Sequence, residues 1–403
     1  MACQNSRGGR REVLKEAKST DQYLVHILEV VGNAIVGGVE KYVETIVQHL
    51  PSHGFKVTCV TPYESEITAK LRELGSPVYV VQMFEDPPWR SIQFVSELIR
   101  HQNVDLVHAH LAKGQVLAGL AGCLTGRPFV MTVHGMDISS WELGIFHTAH
   151  AHLNVVCQLA YAQALSLGVP EERVNMIPNG VDMEMFRPNP NGAHLRNLLH
   201  IPLDVPLVGF VGRLAPEKGP DLFLQVAQFI HRSHPQTHFV MVGDGAMLDE
   251  LKEAARVAGL QDHLHLPGSL DNMHLVYPAF DVLVQTSRVE GMPFSLLEGM
   301  ACGLPVVAMN AGGVNEIVEE RTTGILTLVG DWAGVGRAVI RLIDDPALRA
   351  KMGAAARQRT EKHFDINRMM IQLAQQFRSL LPSPAQREQH QDELQTSAHQ
   401  HNR

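Results

Sequence analysis

The sequence predicts an α/β protein built from two successive doubly wound domains. Three observations carry that prediction. Short apolar runs rich in β-branched residues alternate with stretches whose apolar residues recur at helical spacing. Glycine-bearing turns follow several of these runs. The alternation then restarts after the turn-rich segment Pro188-Asn-Pro-Asn-Gly192.

Tyr23–Val31 reads as a buried strand, and a glycine-bearing turn follows from Gly32 to Gly38. Val39, Tyr42, Val43, Ile46, Val47 and Leu50 then mark one face of a helix. Phe55–Val60 is the next strand and completes a βαβ unit. Further strands are expected at Val78–Val81, Leu106–His108, Phe129–Val133, Leu153–Val156 and Val174–Ile177. In the second half, the strand Leu207–Val211 leads into a loop, Gly212–Gly219. A helix over Asp221–Ser233 follows Pro220, a residue favoured at a helix start. Phe239–Val242, His263–Leu266, Val282–Gln285, Pro305–Met309 and Ile325–Leu328 read as the remaining strands. The expected domains are 21–190 and 191–365. A last helix, 366–381, packs on its own domain or crosses back to the first. The basic segment 1–20 and the Gln/His-rich segment 382–403 are expected to be disordered tails.

Composition narrows the function classes. Of 403 residues, 45 % are hydrophobic and 19 % charged, as in a soluble globular protein. The net charge of −8 argues against a dominant nucleic-acid footprint. No apolar run approaches the ~18 residues of a membrane span. Five scattered cysteines without C-x-x-C spacing give neither a disulfide framework nor a zinc knuckle, and the reduced cytoplasm is the expected compartment. The polar, basic N-terminus lacks the apolar core of a secretory signal.

Open parallel sheets bind ligands at the carboxyl ends of their strands, so the segments just after strands carry the chemistry. The richest is Ser287-Arg-Val-Glu290-Gly291-Met292-Pro293-Phe294-Ser295-Leu-Leu-Glu298. Pro293 suits the first turn of a helix running to about Met300. The free N–H groups of Phe294 and Ser295 would then form an anion site suited to phosphate. Glu298, one turn in, is placed to accept hydrogen bonds from a ribose diol. Glu290, just before the helix, is free to reach a second sugar. The loop Gly212-Arg213-Leu-Ala-Pro-Glu-Lys218-Gly219 offers two cations suited to a diphosphate. Gly37 and Gly38 let backbone approach a ligand but match neither G-x-G-x-x-G nor a Walker loop. His134-Gly135 ends a strand and faces the cleft. His108-x-His110, with His147, His150 and His152 nearby, reads as polar lining of the acceptor cleft; it lacks acidic or cysteine partners at metal-ligand spacing.

Taken together, these segments resemble the retaining glycosyltransferases of family 4, which have the GT-B fold of two Rossmann-like domains facing across a cleft. Glu290 and Glu298, with seven residues between them, match that family's paired-glutamate motif. Ala301-Cys-Gly303-Leu-Pro305, Gly-Arg213-Leu, Glu-Lys218-Gly, the early glycine pair, His134-Gly135 and Ile177-Pro-Asn179-Gly180-Val-Asp182 fit as well. The likeness spans essentially 23–380. It implies that the second domain binds a nucleotide-diphospho-sugar, a UDP-sugar before GDP-mannose. Arg213 and Lys218 would hold the diphosphate, Glu298 the ribose and Glu290 the hexose. The base would rest near Gly268-Ser269-Leu270, Gly38 against the phosphates, and His134 at the donor sugar. His134, Arg213, Lys218 and Glu290 would be the catalytic residues; Gly37, Leu270, Gly291, Met292, Phe294 and Ser295 would complete the donor site.

The first domain would carry a glycan or lipid-linked acceptor of cell-envelope or polysaccharide synthesis, at the inner face of the membrane. Many relatives have Glu-x-Phe-Gly where this chain has Glu290-Gly-Met-Pro293, which moves the phosphate donors to neighbouring N–H groups. D-x-D is absent from the sequence, so no metal cofactor is expected. Two alternatives remain: a sugar-nucleotide 2-epimerase on the same fold, and a non-catalytic sugar-nucleotide-binding protein.

Overall fold

A computed structural model describes residues 24–34, 37–83, 89–189 and 192–382. Apart from Pro382, the two expected tails lie outside these residues.

The first seven strands are β1 (Val25–Val31), β2 (Phe55–Thr61), β3 (Val78–Val80), β4 (Leu106–His110), β5 (Phe129–Val133), β6 (His152–Val155) and β7 (Val174–Met176). They form one sheet in the order β3-β2-β1-β4-β5-β6-β7. The next six are β8 (Leu207–Val211), β9 (His238–Val242), β10 (Leu264–Gly268), β11 (Val282–Gln285), β12 (Val306–Met309) and β13 (Gly324–Thr327). They form a second sheet in the order β10-β9-β8-β11-β12-β13. The pairings within both sheets are parallel. Helices therefore cover both faces, which explains strands that read as continuous apolar runs.

Each sheet has one switch point, between β1 and β4 and between β8 and β11. There the connections leave in opposite directions and open a crevice at the carboxyl ends of the strands.

Two buried clusters flank each sheet. In the first, Leu28, Val30, Val107 and Phe129 pack on one face; Ile27, Tyr42, Val43 and Phe55 pack on the other. The helix Gly38–His49 covers the second face together with the C-terminal helix Ile366–Ser379, whose Met369, Leu373 and Phe377 join the same cluster. That last helix thus crosses back to the first domain. Asn154 of β6 and Gln376 exchange two amide hydrogen bonds, at 2.8 and 2.5 Å. The outgoing and returning segments meet where Val181 N–H donates to Phe364 O (2.8 Å) and Ile366 N–H to Val181 O (3.0 Å).

Most strand ends fall within a residue or two of expectation, and one difference is instructive. β4 continues to His110 instead of stopping at His108, because both imidazoles are buried and hydrogen-bonded inside the sheet layer.

Candidate active site

The site is assembled from the two loops that flank the switch point of the second sheet. After β8 the chain runs through a short 3-10 turn, Pro216–Lys218, to Gly219. Gly219 has φ +65°, and a Cβ there would lie 2.1 Å from the Thr286 carbonyl, so only glycine fits. Thr286 Oγ1 donates to Gly219 O at 2.7 Å, and the Arg288 N–H donates to Glu217 O at 2.8 Å. The Arg288 guanidinium grips Asp221 bidentately at 2.9 and 2.6 Å. The loops after β8 and β11 are thereby one unit.

That unit brings Lys218 onto Glu290. Lys218 Nζ donates to the two carboxylate oxygens at 2.7 and 2.8 Å. Gln285 Nε2 and Ser287 Oγ each donate to Glu290 Oε1 at 2.7 Å. Glu290 is buried and fully engaged, which corrects the expectation of a carboxylate free to reach a sugar. In this state it orients Lys218. Arg213 stands apart: it is exposed and pairs with Glu217 at 2.8 Å. Its charge does reach Glu40 near the start of the helix Gly38–His49, where burial pushes the carboxyl up and Arg213 opposes that shift.

The helix after β11 spans Phe294–Ala301, with Pro293 in extended conformation as its N-cap rather than in its first turn. Its leading N–H groups, from Phe294 and Ser295, belong to the unpaired set that favours anions. Glu298 lies one turn further in, is only 7 % exposed, and accepts the Tyr277 hydroxyl at 2.7 Å. Burial pushes its carboxyl up to about 7; Lys41 and the Tyr277 hydrogen bond oppose the shift, and Glu44 adds to it. Glu298 therefore shares an interdomain cavity with Lys41, His49, Asp182 and Phe294. Gly268 ends β10 and Leu270 follows it at the same end of the sheet, two strands from β8.

The first domain closes the site from across the cleft. A Cβ on Gly291 would lie 2.1 Å from the carbonyl oxygen of His134, so the loop after β11 rests directly on the end of β5. Asn179 Nδ2 donates to Met292 O at 2.7 Å. Gly37 caps the helix in extended conformation, and a Cβ on Gly38 would meet nothing within 4 Å. Neither the backbone nor packing requires glycine at 38, which leaves open space beside the helix start.

Sequence reasoning missed Tyr277, Gln285 and Glu40 as members of the site, and it quoted Ser287 and Asn179 within motifs without giving them a partner. Gln285 and Ser287 carried a signal, being polar residues at the end of an apolar strand. It also missed Glu29. Among the described residues, Glu29, His108 and His110 are the one group of three or more histidine, cysteine or acidic side chains whose ligating atoms all lie within 4.8 Å of one another. All three are fully buried; the reading of His108 and His110 as lining of an open acceptor cleft is corrected accordingly. A carboxylate on the neighbouring strand draws both rings inward.

Two family profiles match the chain: Glycosyltransferase Family 4 over residues 36–185 and Glycosyl transferases group 1 over residues 194–359. The chain is 27 % identical over 355 residues to the UDP-Gal:alpha-D-GlcNAc-diphosphoundecaprenol alpha-1,3-galactosyltransferase of Escherichia coli, spanning 82 % of this chain and 91 % of that one. It is 30 % identical over 276 residues to the 2-deoxystreptamine glucosyltransferase of Streptomyces kanamyceticus, spanning 62 % and 71 %. Among solved structures, Anabaena Alr3699/HepE in complex with UDP-glucose aligns with a TM-score of 0.79 at 23 % identity, covering 88 % of this chain and 99 % of that one.

Proposed function

The chain belongs to the family 4, group 1 glycosyltransferases and has their two-domain GT-B fold; with that as premise, we propose that it moves a hexose from a UDP-sugar to a lipid-linked or glycan acceptor, with retention of configuration and without a metal ion. One observation carries the reading. The loops on either side of the second sheet's switch point bring Lys218, Glu290 and a helix start together, directly against His134 of the facing domain.

The chemistry follows from what each group offers. The bond between the anomeric carbon and the β-phosphate oxygen breaks, and negative charge grows on the departing diphosphate. An ammonium has three donors; Glu290 takes two, and the third remains for a phosphate oxygen. The N–H groups of Phe294 and Ser295 add fixed partial positive charge, and Arg213 supplies a further cation from the mouth of the cleft. Groups oriented in advance stabilise such charge most effectively. The acceptor oxygen bonds the anomeric carbon on the face the phosphate leaves. Its proton passes to that phosphate, so no dedicated protein base is required. Glu298 holds the ribose hydroxyls, and His134 meets the donor sugar. The UDP-galactose donor and lipid-linked acceptor in the name of the Escherichia coli relative support this choice of substrate classes.

Among the described residues no helix is long and apolar enough to cross a membrane. We assign access to a lipid-linked acceptor to contact with a membrane surface at its cytoplasmic side, a reading that the lipid-linked acceptor named for the Escherichia coli relative supports. The decisive experiment incubates the chain with UDP-glucose, UDP-galactose, UDP-N-acetylglucosamine and GDP-mannose, with and without a chelator, and reads free nucleotide. Release of UDP that survives the chelator is expected. Intact donors, or an isomerised sugar nucleotide, would overturn the proposal. Anomeric NMR of the product tests retention.

A further inference from the structure

A chain of buried hydrogen bonds leads from the middle of β1 to the end of β5. Glu29 sits inside a strand that is apolar apart from it and His26, with its carboxylate fully buried. His108 Nδ1 donates to its Oε1 and His110 Nε2 donates to its Oε2, both at 2.9 Å. The second nitrogen of His108 meets Thr132 Oγ1 at 2.7 Å. The second nitrogen of His110 meets His134 Nε2 at 2.9 Å. Tyr42 packs its ring edge-on against both His110 and His134, at 5.4 and 4.7 Å between centroids. Phe377 from the C-terminal helix packs on His108 at 5.2 Å.

The protons in this chain can be placed by elimination. Interaction with the two imidazoles outweighs burial and holds the Glu29 carboxyl down at about 2, so it is ionised and can only accept. Burial, reinforced by His108, holds His110 down at about 4, and burial holds His134 well below the usual imidazole range; both are neutral near pH 7. A neutral imidazole carries one N–H. His110 commits its proton to Glu29 through Nε2, so its Nδ1 must accept. The bond to His134 then requires the His134 proton on Nε2. The Nδ1 of His134 is left as a lone pair.

We propose that Glu29 and His110 are positioning residues that lock His134 in its Nε2–H tautomer, so that His134 presents Nδ1 to a hydroxyl of the donor sugar as a hydrogen-bond acceptor. The proposal rests on the reading that His134 meets the donor sugar. It assigns His134 a binding and orienting part, and it denies it the part of a proton donor. It also gives a reason for a carboxylate at the centre of a strand whose other residues are apolar but for His26: the charge is paired within the layer and its effect is felt two imidazoles away.

The test is long-range proton–nitrogen NMR on the full, nitrogen-15-labelled chain at pH 7, with the His134 signals identified by their loss in His134→Gln. We expect His134 to carry its proton on Nε2. In His110→Asn the side-chain oxygen stands where Nδ1 stood, and the His134 pattern is retained. In His110→Leu the acceptor is gone, the pattern gives way to mixed tautomers, and kcat for UDP release falls by up to about 100-fold, the scale that a slightly misplaced active-site group can cost. A role in packing alone predicts equal loss in both variants and an unchanged tautomer. A wild-type His134 protonated on Nδ1, or a pattern unmoved by His110→Leu, would overturn the proposal. The wild-type spectrum decides the tautomer by itself, so a variant that fails to fold does not shield it. If the tautomer is as expected and the wild type releases no nucleotide from any donor, the lock stands and the transferase reading falls.

Discussion

Glu298→Gln separates the energetic cost of the site from its use. The Glu298 carboxyl is raised from 4.5 to about 7, chiefly by burial. A carboxyl that binds its proton more tightly when folded contributes stability that is complete below about pH 4.5 and is lost as the pH rises through about 7. At about 1.4 kcal/mol per unit, the full loss is roughly 3 kcal/mol near pH 8. Glutamine cannot ionise, and its amide oxygen still accepts the Tyr277 hydroxyl. The variant should therefore be more stable than the wild type by roughly 3 kcal/mol at pH 8 and by about 1 kcal/mol or less at pH 5. Urea unfolding at the two pH values measures this. In the same variant, transfer should fall about 10- to 100-fold in kcat/KM, because hydrogen bonds to a charged group are worth about 1.5–3 kcal/mol and the neutral amide forfeits part of that toward the ribose. An equal stability difference at both pH values would refute the burial argument. Full activity would refute the ribose assignment.

Three further outcomes are expected. Lys218→Ala should lower UDP release by about a hundredfold or more, and it should also destabilise the second domain by leaving the buried Glu290 carboxylate with Gln285 and Ser287 alone; the pair Lys218→Met with Glu290→Gln should recover the melting temperature without recovering turnover. Gly291→Ala puts a Cβ 2.1 Å from the His134 carbonyl, so small-angle scattering should report a larger radius of gyration together with lower activity, and an unchanged radius would refute the close-approach argument. Gln376→Leu strands the buried Asn154 amide and should cost about 1–3 kcal/mol of first-domain stability, read by hydrogen exchange in β6, with donor affinity unaltered.

Much of the fold was legible because parallel strands buried on both faces read as short apolar runs, and because Gly32, Pro188, Pro220 and Gly303 punctuate them. The segments that carry the site were legible for the same reason: Arg213, Lys218 and Glu290 lie in loops just after strands, and Glu298 lies on the helix that the second of those loops enters. Their partners were not. Lys218 and Glu290 are 72 residues apart in sequence, and nothing in either loop says that the carboxylate will be consumed by the ammonium. Glu298 read as a polar residue on an apolar helix, yet its burial depends on Tyr277 and on the facing helix of the other domain. Glu29 was passed over as one charge in an apolar strand. Only the register that sets Glu29 beside His108 and Val31 beside His110 reveals it as the hub of a network.

The return of the helix Ile366–Ser379 to the first domain has a consequence for biosynthesis. A ribosome delivers the chain in order, so the groove formed by Ile27, Val43 and Phe55 stays uncovered until Met369, Leu373 and Phe377 emerge. The half that is made first is thus finished last. A polypeptide that stops short of Ile366 keeps an oily surface on display for chaperones and proteases, and only synthesis through that helix conceals it.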